Sequence, residues 1–192
     1  MAQTATSHPP LDVETYLQGE LASELRHEYI AGQVYAMTGV SVAHNLIGLN
    51  LATALHAHLR GGPCRVFMSD LKLHLRIAGE DIFYYPDLMV CCQAEDRARY
   101  WREQPCLVVE IASASTARID RREKFLAYRE IPTLEEYLLI EQDTVGLTLF
   151  TRPGGWQPQS MGPGDTLHLA SVGLTIAVAD IYEGVELVEL GE

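Results

Sequence analysis

The sequence predicts an α/β protein built on a mixed sheet, and three observations carry that reading. Short apolar runs bounded by polar and turn residues recur along the chain, as strands do. From Ser41 to Arg60 the apolar period changes to three or four residues, as in a helix. A second helical segment follows Glu110 and stops before Pro132, so strands and helices alternate.

Taken in order, residues 1–10 (Met-Ala-Gln-Thr-Ala-Thr-Ser-His-Pro-Pro) read as a flexible leader and 11–192 as a single domain. Leu11 to Leu17 forms a short helix capped by Asp12. Arg26 to Met37 reads as two strands about an Ala31-Gly32 turn. The long helix over 41–60 carries Val42, Leu46, Leu49 and Leu59 at helical spacing and ends at Gly61-Gly62-Pro63. Cys64 to Ile77 alternates like a strand with a break near Ser69-Asp70, and Ala78 to Asp81 is a turn. Two strands follow, Tyr85 to Cys92 and Cys106 to Ile111, joined by the charged loop 93–104. Ser113 to Thr116 supplies caps for a helix reaching about Glu130. Glu135 to Ile140 is a strand, and 145–151 with 156–160 form a hairpin about Arg152-Pro153-Gly154-Gly155.

A chain of 192 residues can bury a sizeable core without a metal or disulfide to hold it. Its 47% apolar and 21% charged residues are ordinary for a globular protein. No apolar run approaches the ~20 residues that span a bilayer, and the N-terminus lacks the apolar stretch of a signal peptide, so the expectation is a cytoplasmic protein with no membrane contact. Cys64, Cys91, Cys92 and Cys106 have no C-x-x-C spacing and are expected to be buried thiols. The formal charge of −12, from 26 acidic against 14 basic residues, runs against a broad phosphate-binding face. A local cation can offset it.

Two acids on apolar strands stand out, Asp87 in Tyr85-Pro86-Asp87-Leu88 and Glu110 in Val108-Val109-Glu110-Ile111. Aligning them in an antiparallel hairpin sets Met89 opposite Val108 and Cys91 opposite Cys106, with the turn near Ala98 and Arg99. Both carboxylates then lie side by side on one face. Neighbouring acids repel unless a cation or proton sits between them, so the pair points to a divalent metal site. On the helix that follows, Asp120, Lys124 and Tyr128 share a face at i, i+4 and i+8. Turned back over the strand ends, that face delivers Lys124 to the acids. Two acids and a lysine suit phosphodiester hydrolysis, with oxygen ligands for Mg²⁺ and an ammonium to orient water or neutralise developing charge. Plainer readings stand beside this one. Lys124 can be a solvated residue paired with Asp120, Glu28 a hairpin surface residue, and His44 a hydrogen-bonded structural histidine. His56, His58 and His74 form no zinc-type cluster with acids. Trp101 and Trp156 lie in polar turn regions, where they stack on bases or pack an interface.

Tyr85-Pro86-Asp87, Val108-Val109-Glu110-Ile111, Asp120-x-x-x-Lys124-x-x-x-Tyr128 and Glu135-Glu136-Tyr137 occur in an order that resembles the Uma-two family of restriction-type endonucleases, within the PD-(D/E)xK nuclease superfamily. Glu28-Tyr29-Ile30-Ala31-Gly32 and Ser41-x-x-His44 extend the likeness over nearly the whole chain after the leader. The resemblance implies a restriction-endonuclease-like core, a mixed β-sheet flanked by helices with N-terminal and C-terminal β-hairpins. It implies catalytic roles for Asp87, Glu110, Lys124 and Glu28, and Mg²⁺ (or Mn²⁺) held by Asp87, Glu110 and the Ile111 carbonyl. It further implies hydrolysis of DNA by a metal-activated water, and a homodimer. The superfamily lysine normally stands two residues after the second acid, where this chain has Ala112, and Lys124 is the residue that fills the gap. Ala114 stands where the family pattern suggests proline. The alternative is a non-catalytic nucleic-acid-binding or assembly module on the same fold. Hydrolysis of RNA or a small phosphodiester is a further reading, one that an acidic surface suits.

Overall fold

The computed structural model describes residues 10–37, 39–112 and 119–187, and of 119–121 the backbone alone. The expected caps at 113–116 and the side chain of Asp120 lie outside the described residues, as does most of the leader. Helix α1 (Val13–Ala22) starts where Asp12 accepts the Thr15 N–H at 2.9 Å. Strands β1 (His27–Ile30) and β2 (Gln33–Ala36) turn through Ala31 and Gly32, whose φ angles of 49° and 89° are those of a tight hairpin turn. A Cβ at Gly32 would lie 2.4 Å from the Pro10 Cβ, so glycine is required there twice over. Helix α2 (Val42–Leu59) is capped by Ser41 and buries Ile47, Leu51 and Leu55.

The apolar stretch expected as one interrupted strand is two strands in different sheets. Strand β3 (Arg65–Met68) pairs with β6 (Leu88–Cys91), whereas β4 (Lys72–Ile77) pairs with β5 (Glu80–Tyr84). The turn expected over 78–81 is tighter, at Ala78 and Gly79, and β5 itself is an element the sequence reading did not separate. After β6 the chain makes the short β7 (Trp101–Arg102) and then β8 (Pro105–Ala112). Helix α3 (Ile119–Tyr128) leads to β9 (Glu136–Glu141), the hairpin β10 (Leu147–Thr151) and β11 (Pro158–Met161), the hairpin β12 (Thr166–Leu169) and β13 (Leu174–Ala177), and the single turn α4 (Val178–Ile181).

The strands make a five-stranded sheet, β2-β1-β5-β4-β7, and a six-stranded sheet, β11-β10-β9-β8-β6-β3, with β12-β13 apart. Both large sheets are mixed: β4 runs parallel to β7 and β8 parallel to β9, the remaining pairs being antiparallel. The period-2 alternation of β6 and β8 sorts their side chains into two cores. Leu88, Val90, Leu107, Val109 and Ile111 pack with α2 and α4, and Met89, Cys91 and Val108 pack with α3 and the five-stranded sheet. Leu88, Val90, Leu107, Val108 and Val109 are fully buried, which explains why these strands read as near-continuous apolar runs. At Gly48 a Cβ would come 3.3 Å from the Ile111 Cδ1, so α2 lies close on β8. Among the described residues no helix is long and apolar enough to cross a membrane.

Two cysteine expectations need correction. Met89 does face Val108, but the register shifts between Val90 and Cys91, leaving Cys91 opposite Pro105 rather than Cys106. Cys64 and Cys92 form a disulfide, because β3 lies beside β6 with Arg65 opposite Cys91 and their sulfurs meet just past the ends of that ladder. Cys91 and Cys106 are the buried free thiols.

Candidate active site

Asp87 precedes β6 by one residue and Glu110 lies in β8; the pairings Leu88 with Val109 and Met89 with Val108 bring both to the same end of the ladder. Each acid is held. The Ile111 N–H donates to Asp87 Oδ2 at 2.7 Å, and His44 Nε2, one turn into α2, stands 3.2 Å from the same oxygen. Tyr128 OH donates to Glu110 Oε1 at 2.7 Å. Lys124, one helical turn before Tyr128, places its Nζ 3.8 Å from Glu110 Oε1 and donates to Glu28 Oε1 at 2.7 Å. The α3 face of Lys124 and Tyr128 therefore looks inward, over the strand ends.

Glu28 arrives from β1. Pairing of β1 with β5 sets Tyr29 opposite Phe83 and hangs the N-terminal hairpin beside the acids, and Glu28 Oε1 also lies 3.4 Å from the Tyr85 N–H. The four side chains are nearly enclosed, with 14% of Lys124, 12% of Glu28, 13% of Glu110 and 14% of Asp87 exposed. They line a cleft of about 400 Å³ together with Tyr35, Met37 and Val40.

Burial pushes the Glu110 carboxyl up to about 8, against the opposing pull of Lys124; the Asp87 and Glu28 charges push it further up and the Tyr128 hydrogen bond holds it back. Burial alone would lower the His44 pKa, but hydrogen bonding to Asp87, the charges of Asp87 and Glu110, and hydrogen bonding to the Ile111 backbone leave it raised. His44 thus engages the same backbone whose carbonyl was the expected third ligand. Among the described residues no three His, Cys, Asp or Glu side chains gather into a closed cation cage. The fit is to a different kind of site. Two carboxylates give a hard, oxygen-only donor set, the pattern for Mg²⁺, which is commonly held by one or two protein carboxylates while substrate phosphate and water complete its shell. A buried acid forced toward its neutral form by a neighbouring acid is what a cation would relieve.

Side-chain contacts thus join Glu28, Lys124 and Glu110, and Asp87 lines the same cleft, bonded to the Ile111 N–H. His44, read as a hydrogen-bonded histidine, is bonded to Asp87 and also lines the cleft; the Ser41-x-x-His44 spacing puts it in the first turn of α2. His74 does meet acids, Asp81 at 2.8 Å and Glu103 at 2.7 Å, but stacks on Phe83 as part of the packing. Trp101 packs edge-on to Phe83, and Trp156 lies against Phe125 and Arg152; neither lines the cleft.

Fold and cleft together define a nuclease-like α/β protein. The model of the Uma2 family, "Putative restriction endonuclease", matches residues 13–179, and this chain belongs to that family. It is 40% identical over 179 residues to an uncharacterized protein of Synechocystis sp., spanning 92% of this chain and 93% of that protein. A second uncharacterized Synechocystis protein is 35% identical over 135 residues, 69% of this chain and 75% of its own length. The crystal structure of a "putative nuclease belonging to DUF820" from Anabaena variabilis superposes with a TM-score of 0.72 at 16% identity, covering 91% of this chain and 98% of that one. The last likeness shows the fold.

Proposed function

We propose that this chain is a divalent-metal-dependent endodeoxyribonuclease whose site is Asp87, Glu110, Lys124 and Glu28. The observation that carries the proposal is the approach of Lys124 to the acids from α3, 3.8 Å from Glu110, although the usual lysine position holds Ala112. The cation, Mg²⁺ or Mn²⁺, would be held by Asp87 and Glu110 with the Ile111 carbonyl available beside them, and would supply Lewis-acid polarisation of the phosphate and a more acidic water. The chain's own residues do the rest. The Ile111 N–H and His44 fix the Asp87 carboxylate, and Tyr128 fixes that of Glu110. Glu28 holds the Lys124 ammonium in place, from which it orients the attacking water and offsets charge developing on the phosphate oxygens. Water adds to phosphorus and loses a proton to solvent, the bond from phosphorus to the leaving oxygen breaks, and solvent protonates that oxygen. The buried Tyr137, which lines the cleft, limits bulk water around these charges.

Cutting both strands of a duplex needs two such sites, which a cytoplasmic homodimer would provide. The charge of −12 favours a second reading, a binding or assembly module on the same fold or an enzyme for RNA or smaller phosphodiesters. Incubation with supercoiled plasmid, linear duplex, single-stranded DNA and RNA in Mg²⁺ separates these. The proposal expects nicking or cutting of DNA by the wild type, abolished by EDTA and in Asp87→Asn, Glu110→Gln and Lys124→Ala. Equal activity in all four proteins removes the site assignment, and no DNA cleavage by any of them removes the function.

A further inference from the structure

Beyond the catalytic cleft, on the other side of Asp87, lies a wider groove of about 680 Å³ between the end of α1, the start of α2 and the strand β4. The two hollows share His44, Tyr85, Asp87 and Ile111, so they form one continuous depression. Lys72, the first residue of β4, lines this groove and is only 7% exposed.

Among the described residues Lys72 has no ion pair and no hydrogen-bond acceptor; its Nζ lies 5.3 Å from the centre of the Tyr85 ring. Three of the four acids that line the groove, all but Glu24, are engaged elsewhere. Glu20 accepts from Tyr85 OH at 2.7 Å and lies 2.8 Å from His27 Nδ1, Asp70 pairs with Arg26, and Asp87 holds the Ile111 N–H and His44. A partly desolvated ammonium without a directly paired acid is costly, and a ring face compensates it only in part. Burial lowers the Lys72 pKa, with the Glu20 charge acting against the fall. A chain with 14 basic residues and a charge of −12 has few cations to offer a phosphate backbone, and this one faces the depression that runs into the acid pair.

We propose that Lys72 is a substrate-binding residue, its ammonium taking a DNA backbone phosphate that flanks the scissile one and lies in the groove between α1 and α2. The inference rests on the nuclease reading and adds to it where the strand runs. Lys72 does not touch the reacting atoms. It positions the strand so that the neighbouring phosphate reaches Asp87 and Glu110, and the bound phosphate supplies the direct ion-pair partner that no described side chain gives it.

The test compares wild type, Lys72→Met and Lys72→Arg, using fluorescence anisotropy on a short duplex with Ca²⁺ across a range of salt concentrations, Mg²⁺-dependent cleavage kinetics, and thermal unfolding without DNA. Lys72→Met is expected to weaken binding about tenfold, to lower the slope of log K against log salt by about 0.9, the value for one phosphate contact, and to raise KM more than it lowers kcat. Its Tm is expected to rise, since an apolar side chain replaces an uncompensated charge. Lys72→Arg should restore affinity and slope. A lysine with a purely structural role gives the opposite pattern, a lowered Tm with an unchanged slope, and that result overturns the proposal, as does failure of Lys72→Met to fold. If wild type and Lys72→Met cut and bind DNA alike, this inference falls and the nuclease reading stands. If wild type neither binds nor cuts DNA, both fall.

Discussion

Glu110→Gln is the sharpest probe of the acid pair, because it keeps the shape of the side chain and removes its charge. In the wild type without metal, the Glu110 carboxyl is pushed from 4.5 up to about 8, first by burial and further by Asp87. A carboxyl whose pKa is higher in the folded than in the unfolded state binds a proton on folding. Its contribution to stability is complete below about 4.5 and is lost as the pH rises through about 8. At ~1.4 kcal/mol per pH unit the whole interval corresponds to at most ~5 kcal/mol. Glu110 keeps 13% of its side-chain surface in solvent, so an effect of about 2–4 kcal/mol is the working figure. Urea unfolding at pH 5 and pH 8 in EDTA should show this loss in wild type, and a clearly smaller loss in Glu110→Gln. Millimolar Mg²⁺ should restore the wild type at pH 8 by up to ~2.7 kcal/mol if it is present at a hundred times its dissociation constant, and leave Glu110→Gln unmoved. Parallel pH dependences in the two proteins would refute the claim that Asp87 and burial together strain this carboxylate.

Other consequences can be checked with simpler measurements. Lys124→Met should fold yet lower kcat by about 10²–10³ in plasmid cleavage, the effect of losing one preorganised donor at a developing charge. Tyr128→Phe removes the 2.7 Å hydrogen bond to Glu110 and should cost about 1.5–3 kcal/mol in urea unfolding above about pH 9, where the carboxylate is charged. Thiol titration of the denatured, unreduced protein should find two thiols, Cys91 and Cys106, and four after reduction.

The strand pair carrying the acids was legible because its period-2 pattern and its length leave one register that buries both apolar faces, and Met89 does meet Val108. Lys124 and Tyr128 were legible for the same kind of reason, since a four-residue spacing fixes a common helix face whatever the helix packs on. The break at Ser69-Asp70 was visible too, but not that the chain leaves one sheet for the other there: local pattern marks where a strand ends, not which partner the next one finds. The bulge after Val90 left no mark in the alternation, so Cys91 was aligned with Cys106 and the Cys64–Cys92 disulfide was missed. Lys72 stands between Leu71 and Leu73 in an alternating run, where the sequence carries no sign of its burial. It is buried because groups far along the chain cover that face, among them Tyr85 and the end of α1. His44 on Asp87 and Glu28 on Lys124 are likewise long-range contacts, set by how α2 lies on β8 and β1 on β5.

The central claim is that Asp87 and Glu110 form a cation site, and Mn²⁺ titration followed by electron paramagnetic resonance tests it without relying on turnover. The account predicts saturable Mn²⁺ binding to the wild type, displaced by Mg²⁺, retained in Lys124→Met and lost in Asp87→Asn and Glu110→Gln. Binding that is equally strong in those two variants, or absent from the wild type, would contradict it.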